Sequence, residues 1–281
     1  MLKTLFALAF ATLARAADVR IVSLDGGAGV NLEGYDIVEL KASDDDGLLD
    51  RRPELKLYTR LERGLGPGPD RSLLTRLTAL ERTIEPFTCR PYGVLYVRLK
   101  TTAGALDVYA AQLAQDQRDA PCREQRLAQA FELAEVVERR SRRRPFLLLG
   151  RAHGPQDDAY LLLTELLALT DVGSAGRLFV PEAAARWARA ETAAGLGVDA
   201  RVDLRLLTAV PRVDPKRRAA ALQAVQTSID RQISASLKRE RFAWIPVYGL
   251  ALSLRQQRLR EKLDSLRVRV ETARVRALEK H

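Results

Sequence analysis

The chain has little of what enzymes most often use for chemistry. Its 281 residues hold two histidines (His153 and His281), one asparagine (Asn31), two cysteines and one methionine. A mechanism that needs two imidazoles, or a histidine-rich metal centre, is close to excluded. Two cysteines cannot build a four-cysteine zinc site. Aromatic residues are 6% of the chain, and none alternates with the arginines, so stacking on single-stranded nucleic acid is poorly supported. At 47% hydrophobic and 29% charged, the chain is neither disordered nor a multi-span membrane protein. Its length allows one large domain with an appendage, or two small domains.

What is abundant is positive charge. The formal net charge is +10, and Arg supplies 38 of the 46 basic residues. Residues 231–281 contain 13 Lys/Arg and 5 Asp/Glu, so they carry +8 of that excess. At the other end, residues 1–16 read as an export signal: Lys3, an apolar run from Leu5 to Leu13, and the small-x-small triplet Ala14-Arg15-Ala16. The plainer alternative is a first strand extended backwards. Export to a secreted, periplasmic or envelope location implies an oxidising compartment, where Cys89 and Cys122 can pair. Two separate thiols are equally compatible with the sequence.

Short apolar stretches at 19–24, 35–40, 93–99, 106–111, 146–149 and 202–207 predict strands, and Phe146–Leu149 reads as buried on both faces. Helical periodicity covers 123–140, with Leu127, Ala130, Phe131, Leu133, Ala134 and Val137 on one side. Asp157 or Asp158 is placed to cap a helix reaching about Leu169. Pro181 suits the first turn of another helix over 182–194. Residues 62–71 read as a loop. Strands interleaved with helices indicate an α/β protein.

Beyond Pro215 the pattern becomes purely helical. Leu222, Val225, Ile229, Ile233 and Leu237 recur by threes and fours, and Pro246 interrupts. Leu259, Leu263, Leu266, Val270, Ala273 and Ala277 then form a heptad seam. This predicts a basic helical hairpin or coiled-coil tail over 216–281, suited to an anionic membrane surface, a partner helix or self-association. The segment Phe242–Leu254 (FAWIPVYGLALSL) is too short for a spanning helix and suits interfacial insertion. A second basic run, Arg139, Arg140, Arg142, Arg143 and Arg144, can bind phosphate groups. Such a run is more often a solvated helix end, favoured by the helix dipole.

Residues 18–210 resemble the endonuclease/exonuclease/phosphatase superfamily, and within it the neutral sphingomyelinase-like branch. The resemblance runs through Gly93–Gln112 (GVLYVRLKTTAGALDVYAAQ), Cys122–Gly150, Leu169-Thr170-Asp171 and Arg201-Val202-Asp203, in the family's order. It implies a four-layer α/β/β/α sandwich over 17–215 and a divalent-cation-dependent phosphodiesterase, usually using Mg2+. The family positions that would do the chemistry fall on Asp25, Ala42, Gln112, Arg151, His153 and Asp203. Most hold the wrong residue. Asp25 stands for an Asn and Ala42 for the metal-binding Glu. Gln112 falls where the family writes Asn-Thr-His-Leu. Arg151 falls where it writes Gly-Asp-x-Asn. Its final Ser-Asp-His has no match. Magnesium is anchored by carboxylates, which Ala42 does not offer. Arg151 puts a fixed cation where a carboxylate belongs, and Gln112 cannot transfer a proton.

Two readings follow. In the first the domain is catalytically inactive, needs no cofactor and acts by binding through the tail. In the second it is an active phosphodiesterase on phospholipid or nucleic acid, with Mg2+ held by Asp25, Glu39 or Asp203. The triplet Asp44-Asp45-Asp46 reads as a solvated turn, His153 as a hydrogen-bonded loop residue, and the glycines at 26, 27 and 29 as a plain loop. Ser23 with His153 lacks the elbow motif of a serine hydrolase.

Overall fold

The computed structural model describes residues 18–24, 32–41, 57–63, 71–88, 93–113, 121–151, 157–172, 178–181, 189–191, 197–203, 213–240 and 249–279. Twelve strands fall within them: β1 (Asp18–Leu24), β2 (Ile37–Lys41), β3 (Thr59–Arg63), β4 (Arg71–Thr75), β5 (Thr78–Pro86), β6 (Gly93–Thr101), β7 (Gly104–Gln112), β8 (Phe146–Arg151), β9 (Leu169–Asp171), β10 (Leu178–Pro181), β11 (Arg189–Glu191) and β12 (Gly197–Asp203). The helices among these residues are α1 (Pro121–Arg140), α2 (Asp158–Leu167), α3 (Pro215–Glu240) and α4 (Gly249–Glu279). The strands form two six-stranded sheets, ordered β11-β12-β1-β2-β4-β3 and β5-β6-β7-β8-β10-β9. Both are mixed. β1 runs parallel to β2, and β7 runs parallel to β8 with α1 as the crossover.

The two sheets face each other. Val19, Ile21, Ile37 and Leu73 of the first share one core with Leu95, Val97, Leu106, Val108, Leu147 and Leu149 of the second. Alternate residues of the second sheet, among them Tyr96, Tyr109, Phe146 and Leu148, face a second core built with the helices. Strands β6 to β8 are thus buried on both sides, which explains the unbroken apolar run Phe146–Leu149. On the other face of the first sheet, Val22, Val38 and Leu74 lie in one register row and are buried too. Sheet, sheet and helices make three described layers of an α/β fold.

The C-terminal helices belong to this core. Leu222, Val225 and Ile229 of α3 and Leu263, Leu266 and Val270 of α4 are fully buried in the same cluster as Phe131, Val137 and Phe146. The heptad seam therefore packs within the chain. This also explains why α1 is buried nearly all round. Its sheet-facing residues were expected to be covered, but Arg126, Gln129, Glu132 and Val136 are buried as well. Arg269 bridges Glu132 and Glu135 at 2.9 and 2.7 Å, and Arg218 reaches Glu138 at 2.5 Å. Burial raises the Glu135 carboxyl above the ordinary glutamate value, and Arg269 opposes that rise.

Several expectations need correction. Strand β12 begins at Gly197, five residues before the predicted start. The helix proposed from Pro181 to residue 194 does not form across Arg189–Glu191, which pairs with Asp199–Arg201 as β11; ladder hydrogen bonds outweigh helical propensity there. Strands β3, β4 and β5 were not anticipated, and the ends of the predicted 62–71 loop are strand residues. The capping reading holds: the Asp157 carboxylate accepts the Ala159 N–H at 2.8 Å. The export segment and Cys89 lie outside the described residues, and the Cys122 side chain is not described.

Two substitutions test this packing. A Cβ on Gly150 would sit 2.0 Å from the Ala111 carbonyl oxygen of the neighbouring strand. Gly150→Ala should cost about 3 kcal/mol or prevent folding, read by denaturant unfolding. Leu266→Ala should cost about 2–5 kcal/mol, as for a core leucine. A value near zero would mean that the tail does not dock.

Candidate functional site

Four of the positions singled out in the sequence, Ser23, Glu39, Gln112 and Arg151, lie at the carboxyl ends of the two parallel strand pairs, where α/β sheets commonly bind ligands. In the first pair Ser23 and Glu39 are in register. The Ser23 hydroxyl donates to Glu39 Oε2 at 2.6 Å, and both side chains are buried. They follow Ile21 and Ile37 by two residues, which puts them on the face that looks into the sandwich. In the second pair Gln112 and Arg151 are in register at the very end of the ladder. Gln112 is buried. Gly150 allows this approach, because its α-carbon passes against the backbone of Ala111.

The structure does not bring Asp203 to the end of β1 where Asp25 follows Leu24. Asp203 pairs with Asp18, whereas Leu24 pairs with Gly197. Six residue steps of strand separate the two, on the order of 20 Å. Asp199 instead lies in register with Val22, near that end. Asp25, Ala42 and His153 lie outside the described residues, as does the Asp44–Asp46 turn. The Arg151 and Asp203 side chains are not described.

Magnesium is the ion that the resemblance implies. At the parallel strand ends the described side chains offer one buried carboxylate, Glu39, with one oxygen already accepting from Ser23. Among the described residues, no three of His, Cys, Asp and Glu are grouped as a metal site. Among the described residues, Glu39 is therefore the one carboxylate at these strand ends that a magnesium ion, usually anchored by one or two carboxylates, would use.

The Arg139–Arg144 run has a different environment from a free phosphate patch. Asp107, fully buried, accepts from Tyr96 Oη at 3.0 Å, Arg98 Nε at 3.1 Å, Ser141 Oγ at 2.8 Å and Arg144 Nε at 2.8 Å. Ser141 Oγ also bonds Tyr109 Oη at 2.7 Å. Arg140 pairs with Glu85 at 2.7 Å and Glu81 at 2.9 Å, and its guanidinium lies 4.5 Å from the Tyr96 ring centroid. Arg139 pairs with Glu85. Burial, then the Asp107 charge, pushes the Tyr96 phenol up to about 12. Three of the five arginines thus clamp the α1–β8 turn onto β5, β6 and β7, while Arg142 and Arg143 are exposed. The signal available in sequence was Asp107, an acid inside an otherwise apolar strand.

A groove of about 440 Å³ runs between α2 and α3, floored by Leu127 and Leu162 and edged by Asp158, Glu165 and Arg231. Among the described residues no helix is long and apolar enough to cross a membrane.

No family model matches the chain, and no curated protein matches it. Solved structures do resemble it. One is a beta toxin variant from Staphylococcus aureus with bound magnesium ions, at 12% identity and TM-score 0.42, covering 55% of this chain and 72% of that one. Another is sphingomyelinase C from Streptomyces griseocarneus, at 13% identity and TM-score 0.41, covering 56% and 71%. A third is an endonuclease/exonuclease/phosphatase family protein from Bacteroides thetaiotaomicron, at 12% identity and TM-score 0.42, covering 66% and 94%.

The Asp107 clamp has a measurable consequence. Asp107→Ala strips a buried acceptor from two guanidinium groups and two hydroxyls. It should cost about 3–5 kcal/mol in denaturant unfolding. A loss below about 1 kcal/mol would show that the network is not structural.

Proposed function

We propose that the chain is an endonuclease/exonuclease/phosphatase-like domain of the sphingomyelinase-like kind that does not hydrolyse phosphodiesters, and that it acts by binding a membrane surface or a partner through its basic helical tail. The observation that carries this reading is the register pair Gln112 and Arg151 at the ends of parallel β7 and β8. The resemblance asks for a histidine motif on one strand and an Asp-x-Asn motif on the other. An arginine there repels a divalent cation and cannot act as a general base. A glutamine can donate and accept hydrogen bonds but cannot shuttle a proton. Glu39 is a carboxylate at the equivalent end of the other sheet, and it is engaged by Ser23. Since catalytic groups of this kind act as a unit, replacing several removes nearly all of the rate.

The same Glu39 supports a second reading. A buried carboxylate at a parallel strand end is a ligand type that magnesium accepts, so an active enzyme with a relocated site would use it. One assay separates the two. Purified protein is incubated with magnesium and either sphingomyelin or duplex DNA, with and without EDTA. The binding reading expects no turnover above buffer. EDTA-sensitive turnover that disappears in Glu39→Gln would establish the enzyme instead.

A further inference from the structure

The helical hairpin is not uniformly charged once its ion pairs are accounted for. Near its docked half, Arg217 pairs with Glu165, Arg218 with Glu138, and Arg269 with Glu132 and Glu135. Lys216 and Arg276 are the unpaired cations described at that end. The other half is different. Ser236 bonds Gln256, so the C-terminal part of α3 lies beside the N-terminal part of α4. Here Lys238, Arg255, Arg258 and Lys262 are exposed, and among the described residues none has an ion-pair partner; Arg231, earlier on α3, borders the α2 groove with Asp158 and Glu165. The carboxylates on this half are few. Asp230 is held by Arg267 at 3.2 Å, Glu261 accepts from Gln257, and Asp264 is exposed. Among these cations stand two leucines half in water, Leu237 at 50% exposure and Leu254 at 47%. A depression of about 400 Å³ on α3 lies between Arg231 and Lys238. In sequence, the residues joining the two helices are Phe242-Ala243-Trp244-Ile245-Pro246-Val247-Tyr248.

We propose that this distal half of the α3–α4 hairpin docks on an anionic lipid surface, with the four unpaired cations reading headgroup charge and Leu237 and Leu254 entering the interface. The inference deepens the binding reading above and names its partner. One property favours lipid over other polyanions. The cations stand beside exposed leucines, which a phosphate backbone does not need. Interfacial helices combine such a charged face with apolar side chains. The cations are left without the internal carboxylates that neutralise those of the docked half. The heptad seam is occupied within the chain, so it is this outer surface that remains for an external partner.

The test uses the full chain and co-sedimentation with vesicles of phosphatidylcholine alone, or of phosphatidylcholine with about one part in three phosphatidylserine. Binding is expected to the mixed vesicles and not to phosphatidylcholine, and it should weaken with added salt. Each cation near the surface is worth about fivefold in affinity. Arg255→Glu with Arg258→Glu and Lys262→Glu should therefore lose on the order of a hundredfold or more. Leu237→Ser with Leu254→Ser should lose about tenfold. Lys216→Glu, at the opposite end, should stay within about twofold. Unchanged helicity by circular dichroism shows that each variant is folded. Equal binding to both vesicles, or binding indifferent to the triple change, overturns the proposal. So does capture of duplex DNA with no vesicle binding. The vesicles contain no sphingomyelin, so the two readings fail separately. EDTA-sensitive hydrolysis would sink the inactive domain and leave lipid docking standing. Absent vesicle binding would do the reverse.

Discussion

The fold depends on burying one sheet on both faces. Strands β6, β7 and β8 carry apolar residues at successive positions, and each face needs its own cover. The first sheet supplies one cover and the helical layer supplies the other. This constraint explains the rest of the arrangement. It makes α1 the middle of a stack, with β7 and β8 beneath it and α3 and α4 above. It also makes the C-terminal helices part of the folding unit, because without them Val136 and its neighbours would face water. Burying an apolar side chain of that size is worth about 1.5–3 kcal/mol.

Such a sheet has few places for polar groups, so those present are tightly engaged. Asp107 lies at the edge of the doubly covered region and receives two guanidinium groups and two hydroxyls. A buried carboxylate without them would be far costlier than the same charge in water. The neighbouring glutamates of β5 hold Arg139 and Arg140 in the same way. Among the described residues, many arginines hold elements together, and cations without an ion-pair partner stand on the distal half of the hairpin as well as at Arg142 and Arg143. Net charge alone would not have separated these two populations.

The strands with uninterrupted apolar composition were readable, as were α1, α2 and the two tail helices, because periodicity and caps are local signals. Strands β3, β4 and β5 were not. In β5 every residue is exposed or half-buried, so composition gives no alternation to detect, and the pairing with β6 alone defines it. Arg189–Glu191 failed for a related reason: its neighbours favour helix, and only the ladder to β12 makes it a strand. At the candidate site, the replacement of His and Asp motifs by Gln112 and Arg151 was legible. The placement of Asp203 was not, because a triplet match carries no register.

By itself, the sequence determined the residue types available to the site, the doubly buried character of β8 and the heptad seam of α4. Those follow from composition and from periods of two, three and a half or four residues. The tertiary structure decided where each was used. It set Gln112 beside Arg151, because a parallel ladder aligns strands that are nearly forty residues apart. It turned the seam inward onto α1, because that surface offered apolar area that a free tail would have left in water. It sorted the arginines into clamped and free, because ion pairing depends on which carboxylates the fold brings within reach.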